Sequence, residues 1–345
     1  MSAPESSAAS TATLWSLITG YMPARVVHVA AELGIADLLA TGAKTADALA
    51  QEIDAAPVPL RRLLRALASI GLVEEFEPGR FGLTAAGSQL RSNVPGSMRN
   101  IALMFGGERA WRSWGELLHS VRTGESGTRR VYGVGTFEYL AANPEQAAIF
   151  NAAMAENTGR VTELLVSTYD FSPFRNIVDV GGGDGTLMVS ILAANAAVRG
   201  TVFDLPGGVA QAPQKLADAG VSARCEIVAG DFFHSVPDAA DAYVLKYVIH
   251  DWDDEQSVAI LSNCRKAMHG ASKILLIERV MPERIEATPI HQRIAMADMN
   301  MLAMPGGQER TEQEYRNLFA AAGLLLERTT PLPGSEISVI EAKRG

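Results

Sequence analysis

The sequence has almost no cysteine. Cys225 and Cys264 are the two in 345 residues, too few for a disulfide framework, which points to a reducing compartment and a fold held by its core. It also lacks any apolar run approaching the roughly 18 residues of a membrane span. The start, MSAPESSAASTATLW, carries an acidic residue and no basic n-region, so it does not read as a secretory leader. A soluble cytoplasmic protein is the expectation. Basic charge is short too: 30 Lys and Arg face 39 Asp and Glu, a net −9 with a pI near 5.3. Nucleic acid needs a basic face, so it is not expected as the main partner. Internal repeats are absent, and low complexity is confined to residues 1–11, which read as a disordered tail.

What is present is apolar residue, 48% of the chain, and enough length for two domains. From Ala12 to Ala40 the spacing predicts helix, punctuated by Pro23 and Gly34. Thr45 is placed to N-cap a helix over Ala46–Ile53, and Pro57 opens another with Leu60, Leu63, Leu64, Leu67 and Ile70 on one stripe. Leu72–Phe76 and Arg80–Thr84 around Pro78-Gly79 read as a hairpin, so residues 12–104 form a winged-helix unit. Arg61, Arg62 and Arg65 on its second helix invite a DNA-binding reading. Glu74, Glu75 and Glu77 on the hairpin oppose it, leaving a packing or dimerisation module. Residues 105–170 read as helical, with Trp111, Trp114, Leu117, Leu118 and Val121 on one face. A long helix over Ala147–Thr168 carries Phe150, Met154, Asn157 and Thr158. Because it leads straight into the next strand, one side of it is expected to face a ligand.

Asn176 to Leu205 reads as strand, glycine turn, helix, strand: half of a doubly wound α/β domain with its ligand loop at a strand's carboxyl end. The turn has Gly181, Gly183 and Gly185, but Thr186 stands where the dinucleotide fingerprint needs its third glycine. Asp179 and Asp184 would repel a pyrophosphate and attract a cationic head. Asp204, 23 residues after Gly181, stands where a carboxylate closes on ribose hydroxyls. Ribose, no phosphate and a positive charge describe S-adenosylmethionine. A glycine turn in another kind of α/β protein is the plainer reading.

Later strands end at Asp231, Lys246 and Glu278. Asp231-Phe232 offers a carboxylate and an aromatic face to an adenine. His250 follows a strand end, where catalytic groups sit. A histidine near its ordinary pKa of about 6.5 can take a proton from a phenol near pKa 10. The alternative is a surface histidine in an acidic loop. Asp251, Asp253 and Asp254 suit a metal, or, more simply, the start of the following helix. Glu278 and Glu309 are candidates to orient the imidazole.

The motifs VDVGGGDG, VFDLP, GDFF, the LK and HDWDD run, ERVMP and GGQERT occur in that order behind the winged-helix front end. From residue 12 onward the chain resembles the class I S-adenosylmethionine-dependent small-molecule O-methyltransferases. That family includes the plant caffeic-acid and flavonoid enzymes, acetylserotonin methyltransferase and bacterial enzymes that methylate polyketides and phenazines. The resemblance implies a Rossmann-like methyltransferase domain over 105–345, behind a mostly helical dimerisation domain. It implies that Gly181, with Gly183, meets the methionine part of S-adenosyl-L-methionine, and that Asp204, followed by Leu205, holds the ribose. Asp231 and Phe232 hold the adenine, Lys246 lies alongside, and Thr158 stands near the cofactor carboxylate. His250 is the base, with Asp251 adjacent and Glu278 and Glu309 flanking. Phe150, Met154, Asn157, Asp298, Met299, Asn300, Met301 and Met304 line the acceptor pocket. The acceptor is a small hydroxylated aromatic, no metal is required, and a homodimer is implied. N- or C-methylation on the same fold, and a winged-helix regulator that senses the nucleoside, are the competing readings.

Overall fold

A computed structural model describes residues 7–92 and 94–345. The chain divides into two compact units, Met1–Trp111 and Arg112–Gly345. The tail expected over 1–11 lies partly outside the described residues. Its last five belong to a helix, Ser7–Ile18.

In the first unit a second helix, Tyr21–Glu32, starts after Gly20. Pro23 therefore does not break the helix as the sequence suggested. It sits in the first turn, where its missing N–H has no intrahelical partner to lose. Gly34, at φ 64°, does break the chain. Strand β1 (Lys44–Thr45) leads into helix Ala46–Glu52, whose Ala48 N–H donates to Thr45 Oγ1. Helix Pro57–Ser69 and the hairpin of β2 (Val73–Glu77) and β3 (Arg80–Leu83) follow, in the sheet order β1-β3-β2. Leu49, Leu60, Leu64, Leu67 and Phe81 form the core. Arg61 pairs with Asp47 and Arg65 with Glu75, so two of the three helix arginines are matched within the unit. Leu14, Trp15, Leu17 and Ile18 are exposed along the first helix.

The second unit is built on strands β4 (Asn176–Val180), β5 (Arg199–Asp204), β6 (Cys225–Ala229), β7 (Ala242–Lys246), β8 (Lys273–Met281), β9 (Arg310–Thr311), β10 (Leu324–Pro331) and β11 (Ile337–Arg344). The order β10-β11-β8-β7-β4-β5-β6 is parallel from β8 to β6 and antiparallel at β10 and β11. Short β9 pairs with the end of β8. Chain order reverses between β4 and β7, so ligand loops gather at the carboxyl ends of these two strands. Both faces of the sheet are covered, which is why its central strands are nearly unbroken apolar runs.

Two further features depart from the sequence reading. Trp111, Leu118 and Val121 do not form a buried face: one helix ends at Gly115, the next is Leu117–Thr123, and all three side chains are exposed. Helix Pro289–Ala303, which carries Asp298 and Met301, has no counterpart in the sequence reading although Thr288 caps it and Pro289 opens it.

Helix Thr186–Ala194 ties the glycine turn to the core through Leu187, Met188, Ile191 and Leu192, all buried. Ile191→Ala removes packing from a site with no exposure. It is expected to cost about 2–5 kcal/mol, read as a lowered unfolding midpoint of the second unit. A cost under about 1 kcal/mol would show that the helix is not seated as described.

Candidate active site

The glycine turn is shaped by backbone geometry. The N–H groups of Gly181 and Gly182 both donate to Phe203 O, at 2.8 and 3.2 Å, folding the turn over the end of β5. Gly181 has φ 74°, and a Cβ there would sit 2.8 Å from Val248 Cγ2. The turn after β4 and the turn after β7 are therefore in contact, and only glycine permits the approach.

Asp204 closes the turn from β5. Its Oδ2 accepts the Gly183 N–H at 2.9 Å and its Oδ1 accepts the Leu205 N–H at 2.6 Å. A carboxylate has about four lone-pair sites, so two remain for hydroxyls. Burial raises the Asp204 pKa, and the two backbone N–H groups oppose the rise. Asp179 is buried with Oδ2 unpartnered. Burial, against the pull of Lys246, raises it to about 7. Asp184 does not take the ligand-facing role expected of it. It accepts from Thr186 at the helix start and pairs with Lys215 at 2.5 Å, so its charge is neutralised locally. The acidic character of the turn rests on Asp179 and Asp204.

Asp231 accepts the Phe233 N–H at 2.8 Å and faces His234 at 3.1 Å, while Phe232 meets Trp252 edge-on at 6.0 Å. Lys246 donates to Thr158 Oγ1 at 3.0 Å, joining the end of β7 to helix Pro144–Thr168. Burial pulls the Lys246 ammonium down to about 8. Further along that helix Phe150 packs against Phe137, which stacks on Trp252 at 5.1 Å. Met154 and Asn157 are half-buried on the same helix, and Met301 is buried on Pro289–Ala303.

Around His250 the charges converge. The imidazole is buried, with Nδ1 at 3.1 Å from Glu309 Oε1 and 3.5 Å from Glu278 Oε2, and Nε2 at 3.6 Å from Asp251. Glu278 Oε1 also accepts the N–H groups of Val248 and Ile249, both at 3.0 Å, and so shapes the turn that carries the histidine. Asp298 accepts the Glu309 N–H at 2.9 Å, which makes it a support for Glu309 in this structure. Arg279 donates to Glu309 Oε1 at 3.0 Å. Burial alone would pull the imidazole below its ordinary value. The carboxylates of Glu278, Glu309 and Asp251 outweigh it and raise His250 to about 9. That differs from the ordinary histidine assumed from sequence. Burial in turn raises Glu278 and Asp251.

Three neighbours were not picked out from the sequence. Tyr247 adopts φ 54° and lays its ring parallel to the imidazole at 5.1 Å, with Arg279 4.7 Å from the ring centre. Arg279 and Arg310 each follow a cluster carboxylate, so the repeated Glu-Arg dipeptide was the available signal. His250, Glu278 and Glu309 offer ligand atoms within 4.8 Å of one another, a spacing that would suit a metal ion. Nδ1, however, already faces Glu309, and Arg279 already supplies a cation to the carboxylates.

The O-methyltransferase domain model matches residues 114–325, and the O-methyltransferase dimerisation domain model matches residues 15–93. The chain belongs to the O-methyltransferase family. It is 44% identical to the phenazine O-methyltransferase of Lysobacter antibioticus over 330 residues, 96% of this chain and 95% of that protein. The crystal structure of LaPhzM superposes with a TM-score of 0.93 at 43% identity, covering 97% of this chain and 99% of that one. An O-methyltransferase of neocarzinostatin biosynthesis, solved with S-adenosylmethionine and 2-hydroxy-5-methyl naphthoic acid, matches at a TM-score of 0.79. It is 34% identical, with 93% of this chain and 96% of that one covered. The methyl donor is S-adenosylmethionine. The residues present fit that nucleoside: a Cβ-free cradle at Gly181, open acceptor sites on Asp204 and an unpartnered oxygen on Asp179. When bound, it supplies an electrophilic methyl group. No helix in the described residues of the methyltransferase is long and apolar enough to cross a membrane.

Gly181→Ala forces an L residue into the left-handed region and into Val248. The backbone strain alone costs about 1–2 kcal/mol. Affinity for S-adenosylhomocysteine, read by calorimetry, should fall about tenfold or more. Unchanged affinity would show that the ligand does not depend on this turn.

Proposed function

We propose that this methyltransferase transfers the methyl group to a phenolic hydroxyl of a small aromatic secondary metabolite, with His250 as general base. The observation that carries the reading is the buried His250–Glu309 pair at 3.1 Å, beside the glycine turn and an aromatic wall of Phe137, Phe150 and Trp252. In this reading Glu309 and Glu278 orient the imidazole and stabilise its protonated form, with Asp251 on the Nε2 side. Gly181, Gly183, Asp204 and Leu205 hold the donor's methionine and ribose, Asp231 and Phe232 its adenine with Lys246 alongside, and Thr158 stands near its carboxylate end. Phe150, Met154, Asn157 and Met301 shape the acceptor pocket, with Asp298 acting on it through Glu309. A flat ring suits such a wall, because aromatic faces pack edge-on or offset on one another.

The wider setting follows from the same kind of observation. The exposed Leu14, Trp15, Leu17 and Ile18 favour a homodimer built through the winged-helix-like first unit. Net charge −9, with Arg61 and Arg65 already matched, disfavours nucleic acid. Two free cysteines accord with the cytoplasm.

A panel of hydroxyphenazines, hydroxynaphthoates, flavonoids and polyketide phenols should reveal the acceptor. With the best of these, His250→Ala should lower turnover by roughly 10²–10⁴. The base works only when neutral, and its carboxylate neighbours hold it protonated up to about 9. Turnover per unit of enzyme should therefore rise with pH well past 7, with an inflection above the ordinary 6.5. Glu309→Gln removes one of the charges that raise it and should move the inflection down. A flat profile between pH 6 and 9, or an alanine variant at near wild-type rate, would remove His250 from the role.

The proposed chemistry needs no metal. Turnover should survive treatment with EDTA. Its loss, with recovery on adding magnesium or zinc, would turn His250, Glu278 and Glu309 from an ion-pair cluster into ligands.

A further inference from the structure

His250 sits in a short turn, Ile249–Asp251, between β7 and helix Asp254–Ala267. A turn of three residues does not hold an imbedded side chain still by its own hydrogen bonds. Glu278 holds the turn by its N–H groups, and Ser257 Oγ donates weakly to Ile249 O and Trp252 O at 3.3 and 3.4 Å. The closer hold on its carbonyl side comes from the segment 307–310. Gly307 lies so close that a Cβ there would stand 2.0 Å from His250 O and 2.7 Å from the Trp252 N. The Gln308 N–H donates to His250 O at 2.9 Å. Arg310 is fully buried, and its guanidinium spans the turn: Nη1 donates to Ile249 O at 3.0 Å and Nη2 to Trp252 O at 2.8 Å. Nε and Nη2 also bond Asp254 Oδ1, at 3.1 and 2.8 Å, which supplies the counter-charge. The residue before it, Glu309, bonds the imidazole itself. Neighbouring residues thus hold the same histidine by its ring and by the backbone on either side of it.

We infer that Arg310 is a positioning residue for His250: its planar fork fixes the carbonyls of Ile249 and Trp252 and so sets where the imidazole stands relative to Glu309. The inference rests on His250 being the base, and its tests keep the two ideas apart. The fork geometry matters because a guanidinium presents several donors in one rigid plane, whereas an ammonium on a flexible stem cannot reach two carbonyls and a carboxylate at fixed angles. Displacing a catalytic group by about 1 Å can cost on the order of 100-fold in rate.

The experiment is a double-mutant cycle in the full-length protein, with the best acceptor of the phenol panel. Arg310→Met should lower kcat about 10- to 100-fold while the KM for S-adenosylmethionine stays near wild type. In the His250→Ala background the same change should cost less than about twofold, because a residue that acts through His250 has nothing left to position. Where His250→Ala itself lowers turnover, equal losses in both backgrounds would overturn the inference. A second readout needs no acceptor: the ring nitrogens of His250, followed by NMR against pH. The groups facing the ring are Glu278 from β8, Glu309 from the segment before β9, and Asp251 and Tyr247 from its own loop, with Arg279 of β8 behind Glu309 and Tyr247. Releasing the turn should bring the titration down toward 6.5, and an unchanged titration would overturn the inference as well. If the titration moves but His250→Ala turns over normally, Arg310 positions the ring and the base reading alone is lost. Should Arg310→Met fail to fold, Arg310→Lys keeps the charge, loses the fork and is read in the same two ways.

Discussion

Glu278 and Glu309 are buried where water cannot solvate them, and the site depends on how that cost is met. A lone ionised carboxylate in such a place would take up a proton. Here the histidine ring lies against both carboxylates, the Arg279 guanidinium lies against Glu309, and each carboxylate is further fixed through backbone. Glu278 spends one oxygen on the N–H groups of the histidine turn, and Glu309 has its own N–H held by Asp298. An ion cluster of this kind adds little net stability against an apolar core of the same shape, but removing one partner strands a buried charge. That asymmetry makes the arrangement rigid.

The sheet supplies the rigidity. Glu278 and Arg279 are in β8, and Arg310 is in β9, which pairs with the end of β8 in parallel register, Val280 opposite Arg310. Two Glu-Arg dipeptides are thereby brought from 31 residues apart to the two sides of one histidine turn. Sequence spacing between them is free to vary so long as the strands meet. Tyr247, in the left-handed region, is a local cost of the same construction. The chain turns sharply on leaving β7, and the turn lays the tyrosine ring flat on the imidazole.

Much of this was legible before the structure. Buried parallel strands are apolar runs, so Ile177–Val180, Ala242–Leu245 and Ile274–Ile277 stood out, and glycine marked the turn after the first of them. The strand-end rule then led to Asp204, Lys246 and Glu278, and the HDW run to His250. What failed was local or depended on pairing. Pro23 reads as a break only while its place in the first turn of the helix is unknown. Helix Pro289–Ala303 escaped because its apolar residues are spread around it, with Ile290 and Met296 exposed and Ile294 and Met301 buried. Asp184 reads as ligand-facing because its partner Lys215, 31 residues on, does not announce itself in sequence. Arg279 and Arg310 were visible inside quoted motifs, but nothing in a linear reading says which of two neighbouring charges faces the histidine.

The raised imidazole bears on what kind of acceptor the site suits. For the proposed base a value near 9 is a loss, since only a small part of it is neutral at pH 7. The same shift brings its proton affinity close to that of a phenolate, whose conjugate acid lies near 10, so transfer from a phenol is nearly balanced in energy. An ordinary histidine would be neutral more often but would face a transfer more than three units uphill. For a neutral amine acceptor neither property is useful, since the lone pair attacks without prior loss of a proton. In the proposed chemistry the carboxylates around His250 therefore suit a hydroxyl of ordinary phenol acidity better than an amine, and the advantage shrinks as the hydroxyl becomes more acidic.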